Sequence, residues 1–358
     1  MDFLFYFLFK LIIQSTTKMK SLIFLAAILG TIFIGGFFVN SEEYIPNAGS
    51  NSADIGKYTP VTIDTYDSNR NKIQMTFTHK PQRVVVDELN TMETLLALGL
   101  GDSIVETSVS PSSSSYKRLL QEYPEEMAKI QKKTVHSLNT ETVLSANPDL
   151  ILGWKSTFTS ILRRPTQWWN ARGIKTYVVA TSNHILNYGT IEDEKQFLAD
   201  MGKIFHVEPK TNHLIREIQD ELKTTQEAVQ GKPQQRVMVI EVSGRGAFTN
   251  YDDGWLVGDM VRSLGGCMPV KEKRVGVEGL IEENPDVIFV VYFSDYQKDI
   301  IRSIFQQPEY SSLKAVQNNR ICLLPFDCMY TSAIKTIKGI RLIKNGLYPE
   351  LNASGKRS

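Results

Sequence analysis

The sequence predicts an α/β protein made of two Rossmann-like lobes with parallel central sheets, joined by one long α-helix, with a ligand cleft between the lobes. Three observations support this prediction. Short apolar runs typical of buried strands alternate with segments of helical period. The alternation starts again at Arg236, after a polar helical stretch without strands. A near-duplicate segment occurs once in each half, "ETVLSANPDLIL" from Glu141 and "EGLIEENPDVIF" from Glu278.

Composition is that of an ordinary globular protein and excludes some function classes. The 358 residues suffice for two hydrophobic cores, and 42% of them are hydrophobic and 22% charged. Lys and Arg number 40 and Asp and Glu 39, so the formal net charge is +1. Without an overall basic field, no nucleic-acid partner is expected.

Residues 1–41 predict a signal peptide or a membrane anchor, followed by a polar tether at residues 42–59. A basic flank precedes the largely apolar run Ser21–Val39, which as a helix would span ~29 Å, enough for a bilayer. Cleavage after Ser41, an uncleaved anchor and a start at Met19 all stay open. In each case the rest of the chain is exported to the periplasm or the extracytoplasmic membrane face, and contacts the membrane only through this segment or a membrane partner.

The three cysteines, Cys267, Cys322 and Cys328, lack the spacing of a metal site or a disulfide framework. We interpret them as small buried residues, with a disulfide between Cys322 and Cys328 left open. No Cys stands directly after the apolar run Ser21–Val39, which excludes a lipid-modified N-terminal Cys there.

The N-terminal lobe is assigned to residues 60–190. It opens with a hairpin, "VTIDTYDSNRNKIQMTF", around a polar turn. Buried strands are then predicted at "RVVVDE", "SIVET", "PDLILGW" and "KTYVVA", separated by helices at "NTMETLLALGL", in the first repeat and through "SILRRPTQWWNARG".

Residues 191–232 are assigned to a helical linker and residues 233–358 to the C-terminal lobe with a C-terminal helix. One helix from Pro209 to Gln230 would be ~33 Å long and would carry the chain from lobe to lobe. The second lobe repeats the order of the first: strands "RVMVIEV", "PDVIFVVYF" and "RICLLPF", with helices "LVGDMVRSLGG", the second repeat, "KDIIRSIFQQ" and "TSAIKTIKGIRLIKNGL".

These features together resemble the substrate-binding proteins of iron-siderophore, haem and cobalamin ABC importers. The resemblance runs from about Val61 to Leu351 and is carried by the leading hairpin, "PQRVVV", "LLALGLGD", the paired repeats, the single helical bridge, "SLGG" and "NGLYPEL". It implies a rigid linking helix, a ligand held between the lobes, no enzymatic activity and no resident cofactor. The expected partner is the permease dimer of an ABC importer, and the chain itself is expected to be a monomer.

Ligands of open parallel sheets lie beyond the carboxyl ends of the strands, and the loops there are rich in aromatic and polar residues. Trp154 is the foremost candidate, because it ends the strand of the first repeat and corresponds to a cleft aromatic in the family. The other candidate ligand-binding residues at strand ends are Phe248, Tyr292, Phe293, Asp327 and Tyr330.

The charge of these loops favours an anionic iron chelate, with a ferric siderophore as the expected cargo. Arg245, Lys273 and Arg274 supply the positive groups. His136 and Tyr292 as axial ligands would instead suit haem, and cobalamin also stays open. A bare divalent metal is disfavoured and no metal site is predicted, because the five His form no cluster with carboxylates.

Functions of other classes have weaker support. "GRGAFT" has only two of the three glycines of a dinucleotide fingerprint, and no phosphate-loop, zinc-protease or serine-hydrolase motif occurs, so no catalytic residue is predicted. A two-lobed metal-cofactor enzyme, the alternative, would need cluster-ligating cysteines at a spacing that is absent. A cell-surface adhesin would not need two lobes.

In the repeats, Glu141 and Glu278 each open a helix, where a carboxylate is favoured by ~0.3–1 kcal/mol. The resemblance implies a second role, in which each Glu docks onto arginines of the membrane subunits. We interpret the Asn-Pro-Asp sequences as structural: the proline ends the helix, and Asp149 or Asp286 turns the chain into the next strand.

Overall fold

The computed structural model describes residues 58–130, 138–244 and 246–351. The predicted signal peptide or anchor, most of the tether, His136 and Arg245 lie outside these ranges. Within them, no helix is both long enough and apolar enough to cross a membrane.

The N-terminal lobe has a small hairpin and a parallel sheet. In the hairpin, β1 (Val61–Tyr66) pairs antiparallel with β2 (Lys72–Phe77). The sheet has the order β4-β3-β5-β6, with all neighbours parallel, and its strands are β3 (Val84–Val86), β4 (Ile104–Thr107), β5 (Leu150–Gly153) and β6 (Lys175–Val178). β3, β4 and β5 are buried along their whole length, as expected of parallel strands covered on both faces.

The helices of this lobe are α1 (Leu89–Ala97), α2 (Ser114–Glu122), α3 (Pro124–Lys129), α4 (Thr140–Ser145) and α5 (Thr166–Asn170). The Ser113 hydroxyl caps α2 by accepting a hydrogen bond from the Tyr116 amide at 3.1 Å. The long helix expected after Trp154 is instead a π-helical turn, Thr157–Ile161, followed by α5. Pro165 separates the two, because proline cannot continue a helix and is tolerated only at its start.

Two helices connect the lobes, α6 (Ile191–Phe205) and α7 (Glu208–Val229). α7 has 22 residues and is offset by one residue from the helix expected at Pro209 to Gln230. His206, with a φ of 51°, turns the chain between them. α6 packs on both lobes, since Met201 belongs to the N-terminal core and Leu198 to the C-terminal core. The lobe boundaries at residues 190 and 232 stay predictions.

The C-terminal sheet has the order β10-β8-β7-β11-β12, and β9 pairs with the start of β7. Its strands are β7 (Gln235–Gly244), β8 (Ala247–Tyr251), β9 (Gly266–Cys267), β10 (Arg274–Gly276), β11 (Val287–Tyr292) and β12 (Ile321–Pro325). The centre, β7-β11-β12, is parallel as predicted. β8 and β10 are antiparallel additions that the sequence analysis did not include, and Gly244 at the end of β7 pairs with Ala247 at the start of β8.

The helices that cover this sheet are α8 (Leu256–Ser263), α9 (Val277–Glu283), α10 (Gln297–Phe305), α11 (Lys314–Gln317) and α12 (Thr336–Leu347). α12 packs against α7, where Glu221 accepts a hydrogen bond from Arg341 Nε at 2.9 Å and contacts Lys344. The linking helix is therefore held in place by the C-terminal helix.

One short segment of the C-terminal lobe enters the N-terminal core. Ala333 is 1% exposed and belongs to the N-terminal hydrophobic cluster. Its amide donates a hydrogen bond to Glu194, a fully buried carboxylate on α6 that also accepts one from Thr181 Oγ1 at 2.7 Å. Burial raises the pKa of Glu194 to about 7. The lobes are thus joined by packing as well as by the linker.

The Asn of each repeat ends its helix in the left-handed conformation. Asn147 has a φ of 46° and Asn284 a φ of 41°. Asparagine tolerates this region better than most residues with a side chain, and a left-handed residue commonly ends a helix. α4 ends at Ser145 and α9 at Glu283, so each helix ends before the proline to which the sequence analysis had attributed its end.

The Asp of each repeat ties together the starts of two neighbouring strands. Asp149 accepts hydrogen bonds from the amides of Gln82 (2.8 Å) and Arg83 (3.1 Å) at the start of β3. Asp286 accepts one from the Arg236 amide (2.9 Å) at the start of β7. These hydrogen bonds give the Asp a structural role at the start of the strands, as predicted, and the arrangement is the same in both lobes.

Candidate functional site

A cavity of about 640 Å³ lies between the lobes, a size typical of small-molecule sites. It is at the carboxyl ends of strands from both sheets, where the sequence analysis expected the ligand. The N-terminal lobe contributes Glu88, Leu89 and Asn90 after β3, Trp154 after β5, and Ser114, Ser115, Lys117, Arg118 and Gln121 of α2. The C-terminal lobe contributes Tyr292, Phe293, Ser294, Asp295 and Lys298 after β11, Pro325, Phe326 and Asp327 at the end of β12, and Lys335 and Lys338.

Aromatic side chains form one wall of the cavity. Trp154, Tyr292, Phe293 and Phe326 line it, and Tyr330 supports them from behind. The Tyr330 ring centroid is 5.4 Å from that of Trp154 and 5.3 Å from that of Phe326. Phe293 contacts Phe326 at 4.7 Å and is still 53% exposed. An aromatic surface that is already packed and partly open is suited to a planar or aromatic ligand.

Five cationic side chains line the same cavity, against three carboxylates. Lys298 pairs with Asp295 at 2.7 Å, and its Nζ lies 4.8 Å from the centroid of the Tyr292 ring. Lys117 and Lys338 have no ion-pair partner among the residues that the structure describes, and they come from opposite lobes. These two lysines leave positive charge for a ligand to neutralise.

The other two cations belong to an ion-pair network that crosses between the lobes. Arg118 donates two hydrogen bonds to the buried Glu93, at 3.1 and 2.8 Å. Lys335 of the C-terminal lobe lies 2.9 Å from the same carboxylate and also contacts Asp327. Such paired and mostly buried charges hold the cavity walls together rather than facing a ligand alone.

Glu88 differs from the other two cavity carboxylates because no cation of the described residues forms an ion pair with it. Its backbone has a φ of 72° and a ψ of 145°, a region that side chains rarely adopt and that costs of order 1–3 kcal/mol. Burial, together with the charge of Asp87, raises the pKa of Glu88 to about 7. The carboxyl group therefore changes its charge near neutral pH inside the cavity.

Two further polar atoms at this end of the cavity have no hydrogen-bond partner among the described residues. Asn90, which is 4% exposed, donates from Nδ2 to the Thr331 carbonyl at 2.7 Å, while its Oδ1 accepts no hydrogen bond. Trp154 Nε1 is buried and donates none. Buried polar groups are normally paired, so unpaired ones on a cavity wall mark positions for a ligand or for water.

Of the predicted ligand-binding residues, Trp154, Tyr292, Phe293 and Asp327 all line this cavity. Tyr330 is 7% exposed and sits behind the aromatic wall, where its hydroxyl accepts a hydrogen bond from the Asn183 amide. The structure thus brings these predicted residues together in one place. That they contact a ligand stays a prediction.

The prediction for Phe248 was wrong. It is 1% exposed and packs in the C-terminal core, 6.1 Å from the ring centroid of Phe305 and 6.3 Å from that of Tyr310. The reason is the unforeseen strand β8, whose alternation turns this side chain inward while Ala247 stays exposed.

Of the basic residues expected near the cleft, the two that the structure describes, Lys273 and Arg274, do not line the main cavity. Lys273 lines a second cavity of about 310 Å³, with His184, Tyr188 and Trp255. Arg274 is exposed on β10 and lines neither cavity. The positive charge comes instead from α2, Lys298 and the start of α12, which the sequence analysis did not single out. Only the amphipathic pattern around Lys117 could have indicated α2.

Glu141 and Glu278 are both exposed in the first turn of α4 and α9. Neither carboxylate has a hydrogen-bond or ion-pair partner within the described ranges. In each lobe the helix is followed within five residues by a strand, β5 or β11, whose carboxyl end reaches the cavity. The two carboxylates therefore occupy equivalent places in the two lobes.

The described cysteines and potential metal ligands form neither a disulfide nor a metal site. All three cysteines are free, and burial raises the pKa of the Cys328 thiol to about 12. In the described part of the chain, no group of three or more His, Cys, Asp or Glu side chains is placed to hold a metal ion.

Comparisons with known proteins agree with this architecture. The family model for periplasmic binding proteins matches residues 84–328. An uncharacterized ABC transporter substrate-binding lipoprotein of Bacillus subtilis is 23% identical over 297 residues, which cover 81% of this chain and 86% of that protein.

Solved structures show the same fold. A periplasmic binding protein from Veillonella parvula has a TM-score of 0.76 and 31% identity, over 82% of this chain and 93% of that one. A periplasmic catecholate-siderophore binding protein from Vibrio cholerae has a TM-score of 0.60 and 19% identity, over 81% of this chain and all (100%) of that one. The family implies an ABC importer as partner and an extracytoplasmic location. The chain belongs to the periplasmic binding protein family, whose members bind substrates for ABC transporters and are not enzymes.

Proposed function

We propose that this protein captures an anionic ferric chelate, a ferric siderophore, in the cavity between the lobes and delivers it to an ABC importer. The observation that carries the proposal is the pair of unpartnered lysines, Lys117 and Lys338, which face one cavity from opposite lobes. An anion between them would neutralise both and hold the lobes together.

The aromatic wall supports the same proposal. Iron-binding aromatic or hydroxamate groups present flat faces, and Trp154 and Phe293 offer surfaces of matching shape. The catecholate siderophore that names the Vibrio cholerae neighbour is a ligand of this kind. Haem remains a possible outcome of the test, with Tyr292 as the cavity residue able to ligate iron.

The proposal is tested by tryptophan-fluorescence titration with a ferric tris-catecholate, a ferric hydroxamate, haemin and cobalamin. We expect the wild type to bind a ferric chelate, and Lys117→Gln and Lys338→Gln each to weaken binding about tenfold to 100-fold, the loss of one charge-assisted contact. Lys223→Gln, an exposed position on α7 outside the cavity, serves as the matched control. Binding of haemin or cobalamin in place of every ferric chelate would contradict the proposal.

Delivery is proposed to depend on Glu141 and Glu278, the exposed carboxylates at equivalent places in the two lobes. Their replacement by Arg would set like charges against arginines of the two permease subunits. We expect Glu141→Arg and Glu278→Arg to retain ligand affinity and thermal stability but to lose import. Glu125→Arg, also exposed and acidic in a first helical turn, is the control.

The measurement is uptake of the radiolabelled ferric chelate, or ligand-stimulated ATP hydrolysis by the importer in vesicles, beside a ligand titration of each variant. Import at the wild-type rate by the double Arg variant would remove the docking role and leave the carboxylates with only their favourable position at a helix start.

A further inference from the structure

The backbone of Glu88 is held in an unfavourable conformation that a glycine would adopt without cost. Its φ of 72° and ψ of 145° place it outside the regions open to most side chains. It stands at the N-cap position of α1, yet its side chain makes no capping hydrogen bond. A glutamate is thus present where neither helix capping nor backbone geometry favours one. Strain of this kind is concentrated at ligand-binding sites.

The carboxylate of Glu88 also lacks compensation for its charge. It lines the cavity and has no hydrogen-bond or ion-pair partner in the part of the chain described. Arg118 and Lys335 line the same cavity, but both form ion pairs with Glu93. Because a partly buried charge without a partner is unfavourable, this arrangement suits a positive group that arrives with the ligand.

A second acceptor lies two residues along the chain. Asn90 is 4% exposed, and its Nδ2 is fixed by the Thr331 carbonyl at 2.7 Å, which leaves Oδ1 as an unused acceptor on the cavity wall. A carboxylate and an amide oxygen together match an ammonium group, which has three donors and a positive charge.

We propose that Glu88 is a cargo-contacting residue that selects ferric chelates bearing an ammonium group on the side facing the N-terminal lobe, with Asn90 Oδ1 as the second acceptor. This inference rests on the proposed function and specifies its substrate class. In this proposal Lys117 and Lys338 bind the anionic iron centre, and Glu88 contacts the cationic substituent.

The charged surroundings of Glu88 make the selection depend on pH. Asp87 is adjacent in the chain, Tyr330 approaches from the C-terminal lobe, and Arg118, Asp327 and Lys335 line the same cavity. With a pKa near 7, Glu88 is largely neutral at pH 5.5 and largely ionised at pH 8. The preference for an ammonium group is therefore strongest at the higher pH.

The test uses a matched pair of ferric chelates that differ only in the acetylation of one amine on each ligand. These are the ferric complexes of 2,3-dihydroxybenzoyl-lysine and of its Nε-acetyl derivative, both of which carry negative charge at the iron centre. Acetylation removes the positive charge and leaves the iron-binding groups unchanged. Taking the ratio of the two dissociation constants also cancels the pH dependence of the chelate itself.

We expect the wild type to prefer the amine form by about tenfold or more at pH 8, as for one charge-assisted contact, and to lose most of this preference at pH 5.5. Glu88→Gln keeps the shape of the side chain but should bind both forms within about twofold of each other at either pH. Glu125→Gln, on the exposed face of α3, should keep the wild-type ratio.

A second readout separates ligand recognition from a structural role. Without ligand, Glu88→Gly should melt at a higher temperature than the wild type, because it removes both the backbone strain and the buried charge. A structural residue would instead destabilise the protein when replaced.

Two results of the chelate titrations would overturn this inference and leave the proposed function intact. One is a wild type that binds both chelates of the pair equally well, and the other is a Glu88→Gln variant that retains the preference for the amine form. If the wild type binds no ferric chelate, the proposed function fails and this inference fails with it. A lower melting temperature of ligand-free Glu88→Gly also counts against the inference.

Discussion

Glu93 is the buried carboxylate on which the ion pairs between the lobes converge. Its side chain is 4% exposed and accepts two hydrogen bonds from Arg118. It also forms an ion pair with Lys335, whose side chain is 7% exposed. Arg118 belongs to the N-terminal lobe and Lys335 to the C-terminal lobe. Glu93→Gln removes the negative charge with little change in shape and leaves both cations short of a partner.

The expected loss follows from what remains in the mutant. Removing one partner of a buried ion pair destabilises a protein by ~3–5 kcal/mol. Here Lys335 keeps its contact with Asp327, and Arg118 keeps its contact with Glu122, so the lower end of this range applies. We expect a loss of about 3 kcal/mol, which at ~2 °C per kcal/mol for a chain of this size lowers the melting temperature by about 6 °C.

The assay is urea unfolding followed by circular dichroism, with a double-mutant cycle that adds Lys335→Met. Because the two side chains are in contact, we expect a coupling energy of at least ~1 kcal/mol. The control is Asp299→Asn, which breaks a pair with Arg302 in which the side chains are 87% and 60% exposed and should cost less than ~0.5 kcal/mol. A loss below ~1 kcal/mol for Glu93→Gln, or additive effects in the cycle, would refute the reasoning.

Four further outcomes can be measured directly. The stability that Glu88→Gln gains over the wild type should increase from pH 4.5 to about pH 7 and reach about 3 kcal/mol, because a pKa raised from 4.5 to about 7 destabilises the folded state only where the unfolded carboxyl is ionised; a pH-independent difference by urea unfolding would contradict this. Gly339→Ala should destabilise α12 severely, since its Cβ would lie 1.9 Å from the Cys328 carbonyl oxygen, whereas Gly279→Ala, whose Cβ would meet only a side-chain methyl at 3.2 Å, should change stability by less than ~1 kcal/mol. The Cys328 thiol, fully buried, should react with a thiol reagent at pH 8 only after unfolding, which mass spectrometry of the labelled peptide will show. X-ray scattering should give nearly equal radii of gyration for the free and loaded protein, because bending the 22-residue α7 would break backbone hydrogen bonds, and a large compaction would exclude a rigid linker.

The sequence alone determined the order and type of most elements, because these depend on patterns between near neighbours. Alternating and continuous apolar runs indicated the central strands, and the duplicated Asn-Pro-Asp segments indicated two related lobes. The rule that ligands lie at strand carboxyl ends then predicted that Trp154, Tyr292, Phe293 and Asp327 would share one place. Each of these residues follows its strand directly, so its position depends on little besides the strand.

Only the tertiary structure decided which charges face the ligand. Glu93 and Lys335 are separated by more than 200 residues and meet because a segment of the second lobe inserts into the core of the first. Phe248, which looks like a loop residue, becomes a core residue once the β7–β8 hairpin forms. Within the described residues, Glu88, Lys117 and Lys338 have no ion-pair partner, which likewise depends on how the two lobes pack across the cleft. Local propensity fixes the path of the backbone, whereas the partner of a side chain depends on packing between segments far apart in sequence.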